Sequence, residues 1–73
     1  MKVKVGQRVY LMPKKKFKGL LEIASEQIPF GIYAVSKNDY AEMLRMKARS
    51  ITELKKNVRE FKKQGYKVYS NGL

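Results

Sequence analysis

Residues 50–64 carry the most regular pattern of apolar positions in the chain. Four apolar side chains recur there at spacings of three and four, as on the buried face of an amphipathic helix: Ile51, Leu54, Val58 and Phe61. Ser50 and Glu53 form a capping box, which satisfies free backbone N–H groups of the first turn and predicts that the helix begins at Ser50. Gly65 suits the position that follows a helix C-terminus. We therefore predict a helix over residues 50–64 that buries this apolar face.

Residues 2–12 alternate between apolar and polar positions, which is typical of a half-buried strand. One parity holds Val3, Val5, Val9 and Leu11, and the other holds Lys2, Lys4, Arg8 and Tyr10. The pattern predicts a single strand, bent or bulged at Gly6, with one apolar face and one basic face.

Residues 13–28 are harder to interpret. Pro13 cannot donate a hydrogen bond to a sheet, so it should end the strand. Residues 14–19 have the composition of a basic loop closed by Gly19. Residues 20–28 fit either a short helix or a strand, and we favour a strand followed by a polar bend.

Residues 30–49 predict a β-hairpin. Residues 30–36 are rich in strand-forming side chains, and residues 37–39 have a turn composition. Residues 44–49 alternate between apolar and basic side chains, although a helix from Asp39 is the competing interpretation. A last short strand is expected over residues 66–70, followed by a free tail over residues 71–73.

Together these elements predict one domain over residues 1–73 of the α+β class. It would contain a small antiparallel sheet of four to five short strands and one C-terminal amphipathic helix over residues 50–64. Two architectures fit. In the first, the strands form an SH3-like barrel capped by the helix, because residues 5–23 resemble the start of such a barrel. In the second, a three-stranded sheet packs one face on the helix, because residues 30–54 resemble the strand–strand–helix order of the arm-binding domains of phage-type integrases. This resemblance assigns no site residues.

The charge balance adds information about function. The chain has 73 residues, and 17 Lys and Arg side chains outnumber 6 Asp and Glu side chains, giving a formal net charge of +11. Self-repulsion on this scale weakens a compact state, and an anionic partner would relieve it. There is no Cys and no His, so a disulfide framework, the usual zinc sites and the common nucleophile–base pairs are excluded. We expect no catalytic residues, no bound metal and no cofactor, hence no enzyme.

The cations cluster on predicted elements. Lys55, Arg59 and Lys63 stand in one row on the helix, where like charges repel by a few tenths of a kcal/mol per pair. Nucleic acid is the leading partner, because phosphates form a dense line of negative charge, and we expect DNA rather than RNA. The predicted contacts are Lys14, Lys15, Lys16, Lys18, Arg45, Lys47, Arg49, Lys55, Lys56, Arg59 and Lys63. Binding should concentrate where Arg45 and Lys47 adjoin the helix row.

Other partners receive less support from the sequence. The main alternative is an inhibitor or adaptor that docks on an acidic protein through exposed apolar side chains, for which the candidates are Met12, Phe30, Met43 and Tyr69. Membrane-surface binding is disfavoured, because the apolar stripe of the helix is committed to the core. A homodimer that shares an edge strand is compatible with a core this small.

A cytoplasmic location is expected from the missing signal-peptide pattern. Small basic proteins of this type are associated with phages and mobile elements, where they have accessory or regulatory roles.

Overall fold

The computed structural model describes all residues from 1 to 73 and shows an α+β protein. Its five strands are β1 (Lys2–Val5), β2 (Arg8–Leu11), β3 (Gly31–Lys37), β4 (Tyr40–Lys47) and β5 (Lys67–Asn71). Its two helices are α1 (Lys14–Gln27) and α2 (Ile51–Lys63). The strands form one sheet in the order β2-β1-β4-β3-β5. The sheet is mixed, because β1 runs parallel to β4 while all other neighbours are antiparallel.

The two helices lie on opposite faces of this sheet. Neighbouring residues of a strand point to opposite faces. On β4, Met43 packs in the cluster that contains Phe17 of α1, whereas Leu44 packs in the cluster that contains Leu54 of α2. The buried members of the two hydrophobic clusters are Val3, Met12, Phe17 and Ala41 on the α1 side, and Ile32, Val35, Leu54 and Val58 on the α2 side. The sheet is therefore the middle of three layers and has a small core on each face.

Helix α2 begins and ends as the sequence predicts. The Ser50 side chain accepts a hydrogen bond from the backbone N–H of Glu53 at 3.2 Å, which is the capping contact expected from the sequence. At the other end Gly65 has a φ of +88°, and its N–H donates to the Lys62 carbonyl at 3.0 Å. A left-handed glycine after the last turn satisfies carbonyl groups that the helix itself leaves free.

The buried face of α2 is mostly as predicted. Leu54 and Val58 are buried, and Phe61 is partly buried with its ring perpendicular to Tyr66 at a centroid distance of 5.9 Å. Ile51 is an exception, because it lies in the first turn, beyond the cover of the sheet, and remains exposed.

The hairpin predicted over residues 30–49 is present as β3 and β4. Its two-residue turn places Asn38 at a φ of +56°, a conformation that Asn tolerates better than most residues. The competing helix from Asp39 does not form. Strand β5 is also present, but the predicted free tail is wrong at Asn71. The side-chain amide of Asn71 donates to the carbonyls of Ser25 and Ile28, both at 2.9 Å, and so ties β5 to the end of α1.

The N-terminal segment is a hairpin rather than the single strand predicted for residues 2–12. Gly6 has a φ of +65° and begins a two-residue turn, where a positive φ matches the twist of the two strands. In the resulting register Lys4 lies beside Val9, so even residues of β1 share a face with odd residues of β2. The predicted common apolar face therefore does not exist. Val3 points toward α1, while Val9 and Leu11 point to the opposite face.

Residues 14–27 form a helix, and the predictions of a basic loop and a strand in this region are wrong. The apolar residues that face the sheet recur at helical spacings across the supposed loop boundary: Phe17, Leu20, Leu21, Ala24 and Ile28. Gly19 lies within the helix at an open position and does not end it. Pro13 precedes the first turn, where its missing N–H costs the helix nothing.

Two features of the predicted architecture need correction as a consequence. The sheet is not wholly antiparallel and does not form an SH3-like barrel, because the chain crosses over through α1 and α2 on opposite faces of an open sheet. The C-terminal amphipathic helix is one of two helices rather than the only one.

Candidate nucleic-acid interface

Nearly all of the positive charge lacks an acidic neighbour. The one ion pair in the structure joins Lys4 Nζ to Glu42 Oε1 at 3.9 Å, and both side chains are more than a third exposed. Such a surface pair contributes little to stability. The remaining 16 of the 17 basic side chains have no carboxylate within ion-pair distance.

Several segments distant in sequence meet at the end of the sheet where the β3–β4 turn lies. Strands β1 and β5 both begin there, since Lys2 lies beside the first residue of β4 and Lys67 lies beside the second-last residue of β3. Helix α2 ends there, because Lys37 Nζ donates to the Gln64 carbonyl at 3.0 Å.

The first two turns of α1 reach the same end of the molecule. Lys14 and Lys18 line an open concavity of about 460 Å³ together with Lys67 of β5 and Asn38 of the turn. Its other lining residues are Met1, Phe17, Leu21, Ser36 and Tyr69. No carboxylate lines the concavity, which combines three ammonium groups with an amide, two hydroxyls and an apolar floor. These groups could hold a phosphate beside a flat, partly apolar moiety.

We call this surface the lysine-rich end. It carries nine lysines from five elements, and they are Lys2, Lys14, Lys15, Lys16, Lys18, Lys37, Lys62, Lys63 and Lys67. Asp39, in the β3–β4 turn, is the acidic residue at this end. All four arginines of the chain lie elsewhere.

Helix geometry makes the α1 lysines costly. Lys14, Lys15 and Lys16 occupy the first turn, which has no acidic residue and no side-chain cap from Pro13. A helix N-terminus carries partial positive charge, so each cation there loses typically about 0.3–1 kcal/mol at low ionic strength, and less in salt. Helix α2 follows the favourable pattern, with an acidic residue in its first turn and lysines in its last. Stability therefore gives no reason for the α1 lysines, whereas an anionic partner does.

The exposed flank of α2 forms a second basic surface that continues from the lysine-rich end. Lys55, Arg59, Lys62 and Lys63 line a concavity of about 500 Å³ with Val58 and Leu73. Lys56 is exposed on the same helix. The structure thus brings together the helix row predicted from the sequence and adds Lys62 to it.

Arg45 and Lys47 do not adjoin this helix row, contrary to the predicted arrangement. Both alternate with Leu44 and Met46, which pack against α2, so they lie on the α1 face of the sheet. Arg45 lines a concavity with the C-terminal half of α1, and Lys47 pairs with Gly31 at the end of the sheet opposite the lysine-rich end. Arg49 lies in the turn that precedes α2 and is exposed.

Four lysines of the lysine-rich end are absent from the set of sites predicted from the sequence: Lys2, Lys37, Lys62 and Lys67. Lys62 could have been included, because it lies on the same helical flank as Lys55 and Arg59. The other three lie at least 30 residues from one another along the chain. They meet only because β1 pairs in parallel with β4 and β5 pairs with β3, which periodicity does not reveal.

The apolar side chains proposed to dock on an acidic protein are not exposed. Met12 is buried, and Phe30, Met43 and Tyr69 are partly buried against the two cores. Tyr69 packs against Phe17 with ring centroids 6.0 Å apart, and Lys67 Nζ lies 5.2 Å from its ring centroid. The exposed apolar side chains are concentrated instead on β2.

The structure and the comparisons with known proteins leave this basic surface as the main functional evidence. No three acidic residues lie close enough together to hold a metal ion. Neither helix has the length and apolar character needed to span a membrane. No protein-family profile, curated protein or solved structure matches the chain.

Proposed function

We propose that this protein binds nucleic acid, DNA in the first place, through phosphate contacts made by the lysine-rich end and the adjoining flank of α2. The observation that carries the proposal is the convergence of nine lysines from five elements at one end of the molecule, none of them with a carboxylate within ion-pair distance. Bringing these cations together is unfavourable for two reasons: the like charges repel one another, and the dipole of α1 disfavours cations at its N-terminus. A polyanion along this surface would relieve both penalties and release the counterions condensed on its phosphates.

The type of cation indicates low sequence specificity. Direct readout of bases relies mostly on planar, bidentate side chains such as Arg, Asn and Gln. At the proposed interface Asn38 and Arg59 are outnumbered by lysines, and a lysine ammonium acts as a point charge that suits phosphate without reading a base. Binding should therefore depend on charge and shape more than on sequence.

The test is a salt series of fluorescence anisotropy titrations with a labelled duplex of arbitrary sequence and with a single strand. The triple variant Lys14→Gln, Lys18→Gln, Lys67→Gln removes the three ammonium groups around the α1 concavity and keeps most of each side chain. Log affinity of the native protein should fall linearly with log salt, and each lost phosphate contact should lower that slope on duplex DNA by about 0.9.

A matched control removes the same charge elsewhere. The variant Arg8→Gln, Arg45→Gln, Lys47→Gln also loses three cations, but from the opposite end or the middle of the sheet. It should retain most of the affinity and of the salt slope. Equal losses in the two variants would show that net charge alone drives binding, and the proposed location would be wrong.

Two further outcomes would overturn the proposed function itself. One is the absence of binding to duplex and single strand at low salt. The other is displacement of nucleic acid by polyglutamate at an equal concentration of charge, which would favour an acidic protein as the partner. Phosphate spacing and counterion release should instead give nucleic acid the advantage.

A further inference from the structure

Strand β2 is an edge strand without the usual protection. Its only neighbour is β1, and all four of its residues are exposed. Edge strands are normally guarded by charged side chains, proline or a bulge. Within β2 the one charged residue is Arg8 at its start, whereas Val9, Tyr10 and Leu11 are 53%, 45% and 81% exposed. A row of apolar side chains thus lies beside an open backbone edge.

The hairpin register shows which backbone groups of β2 are free. Met1 and Met12 exchange two backbone hydrogen bonds, at 2.8 and 3.0 Å, so they form a hydrogen-bonded pair. Hydrogen-bonded and non-hydrogen-bonded pairs alternate along an antiparallel ladder. The backbone groups of Tyr10 therefore face β1, while the N–H and C=O groups of Val9 and Leu11 point outward to the free edge.

We propose that the protein forms a two-fold symmetric homodimer by antiparallel pairing of β2 with β2 of a second copy, centred on Tyr10. In this register Val9 of each copy exchanges two hydrogen bonds with Leu11 of the other, which satisfies all four outward groups of each pair of residues. Tyr10 lies opposite its own counterpart as the non-hydrogen-bonded pair. The two sheets become one continuous sheet across the symmetry axis.

The side chains of β2 are complementary to themselves in this register. Val9 and Leu11 lie on the same face of the sheet as α2, but beyond the area that this helix covers. Each therefore pairs with an exposed apolar partner across the axis. Arg8 falls opposite Met12 of the second copy, and no like charges face each other directly. An unrelated strand would have to reproduce this pattern, whereas a second copy supplies it by symmetry.

Charge also selects the antiparallel orientation. Strand β2 ends at the lysine-rich end, where Leu11 pairs with Lys2. Parallel pairing of two copies would set the two lysine-rich ends side by side. Antiparallel pairing places them at opposite ends of the joined sheet, so their repulsion is smaller. The proposed dimer is independent of nucleic-acid binding and stands or fails separately.

The test is sedimentation velocity over a range of protein concentrations, combined with light scattering to obtain the mass. The native chain of 8.5 kDa should approach twice that mass as concentration rises. Leu11→Lys places a charge on each side of the axis and should restore the monomer. Because Leu11 is among the most exposed residues, this variant should keep its fold, which circular dichroism verifies.

A matched control and a second variant complete the experiment. Ile23→Lys introduces the same charge at another apolar position, 56% exposed on α1, and should remain dimeric. Val9→Pro removes an outward N–H without removing a hydrogen bond to β1, and should also give a monomer. A native protein that stays monomeric at all concentrations would overturn the proposal. So would a dimer that persists in both β2 variants, since its interface would lie elsewhere.

Discussion

At the scale of single residues, the chain contains two glycines with opposite roles. Gly31 begins β3 with a φ of +147°, and a Cβ atom at this position would collide with the carbonyl oxygen of Met46 on the paired strand. Gly19 lies within α1, where a Cβ atom would meet nothing within 4 Å. The sequence alone does not distinguish them, because it shows neither the backbone angle nor the neighbour.

Alanine substitution should therefore change the free energy of unfolding in opposite directions. Gly31→Ala should destabilise the protein by about 1–3 kcal/mol from the backbone conformation, with the collision adding to it. Gly19→Ala should stabilise it by about 0.4–1 kcal/mol, because alanine loses less backbone entropy in a helix. Urea unfolding of both variants measures the difference. Similar effects for the two substitutions would contradict the backbone geometry described for Gly31.

At the scale of elements, the sequence predicts the helices and strands whose ends are marked by capping or turn residues. Helix α2 has a capping serine, a terminal glycine and one apolar stripe, and the β3–β4 hairpin has a turn composition between strand-forming segments. Helix α1 lacks a side-chain cap, and the composition of its first residues, four lysines and Gly19, is typical of a loop. Its apolar spacing from Phe17 to Ile28 is helical, but dividing the segment at Gly19 conceals the pattern. The N-terminal hairpin is missed because a two-residue turn at Gly6 preserves the alternation along the chain while reversing the faces.

The opposite placement of lysines on the two helices gives a prediction at this scale. Lys14→Glu with Lys15→Glu puts acidic residues at the N-terminus of α1, where the dipole favours them. Lys62→Glu with Lys63→Glu puts acidic residues at the C-terminus of α2, where the dipole disfavours them. Both changes lower the net charge by four, so relief of global repulsion should be similar. The α1 variant should be the more stable of the two in thermal unfolding.

Nucleic-acid affinity should not follow the same order. Both pairs of lysines belong to the lysine-rich end, so both variants should bind a duplex more weakly than the native protein. A variant that gains stability and loses binding would show that the lysines of α1 are kept for a partner. An α1 variant with unchanged affinity would remove that helix from the proposed interface.

At the scale of the whole molecule, the arrangement of charge follows from topology, which the sequence pattern does not reveal. Lys2, Lys37 and Lys67 are separated by at least 30 residues along the chain. They meet because β1 pairs in parallel with β4 and β5 returns beside β3. The same topology separates Arg45 and Lys47 from the α2 flank, which the local charge pattern had grouped together. Composition therefore predicted a basic surface, and the sheet order decides where it lies.

This concentration of charge predicts that salt stabilises the free protein. With a net charge of +11 and one ion pair, repulsion dominates the surface electrostatics. The screening length falls from about 30 Å at 0.01 M salt to about 10 Å at 0.1 M. The melting temperature should therefore rise with sodium chloride over this range.

The Lys14→Gln, Lys18→Gln, Lys67→Gln variant should melt higher at low salt and respond less to added salt. The Arg8→Gln, Arg45→Gln, Lys47→Gln variant, with the same net charge, should change less because its cations are more widely spaced. A melting temperature that is independent of salt would contradict this expectation, as would one that falls as salt is added. Either result would show that the lysines of the free protein do not repel one another appreciably. The destabilisation that we assign to their convergence would then be absent.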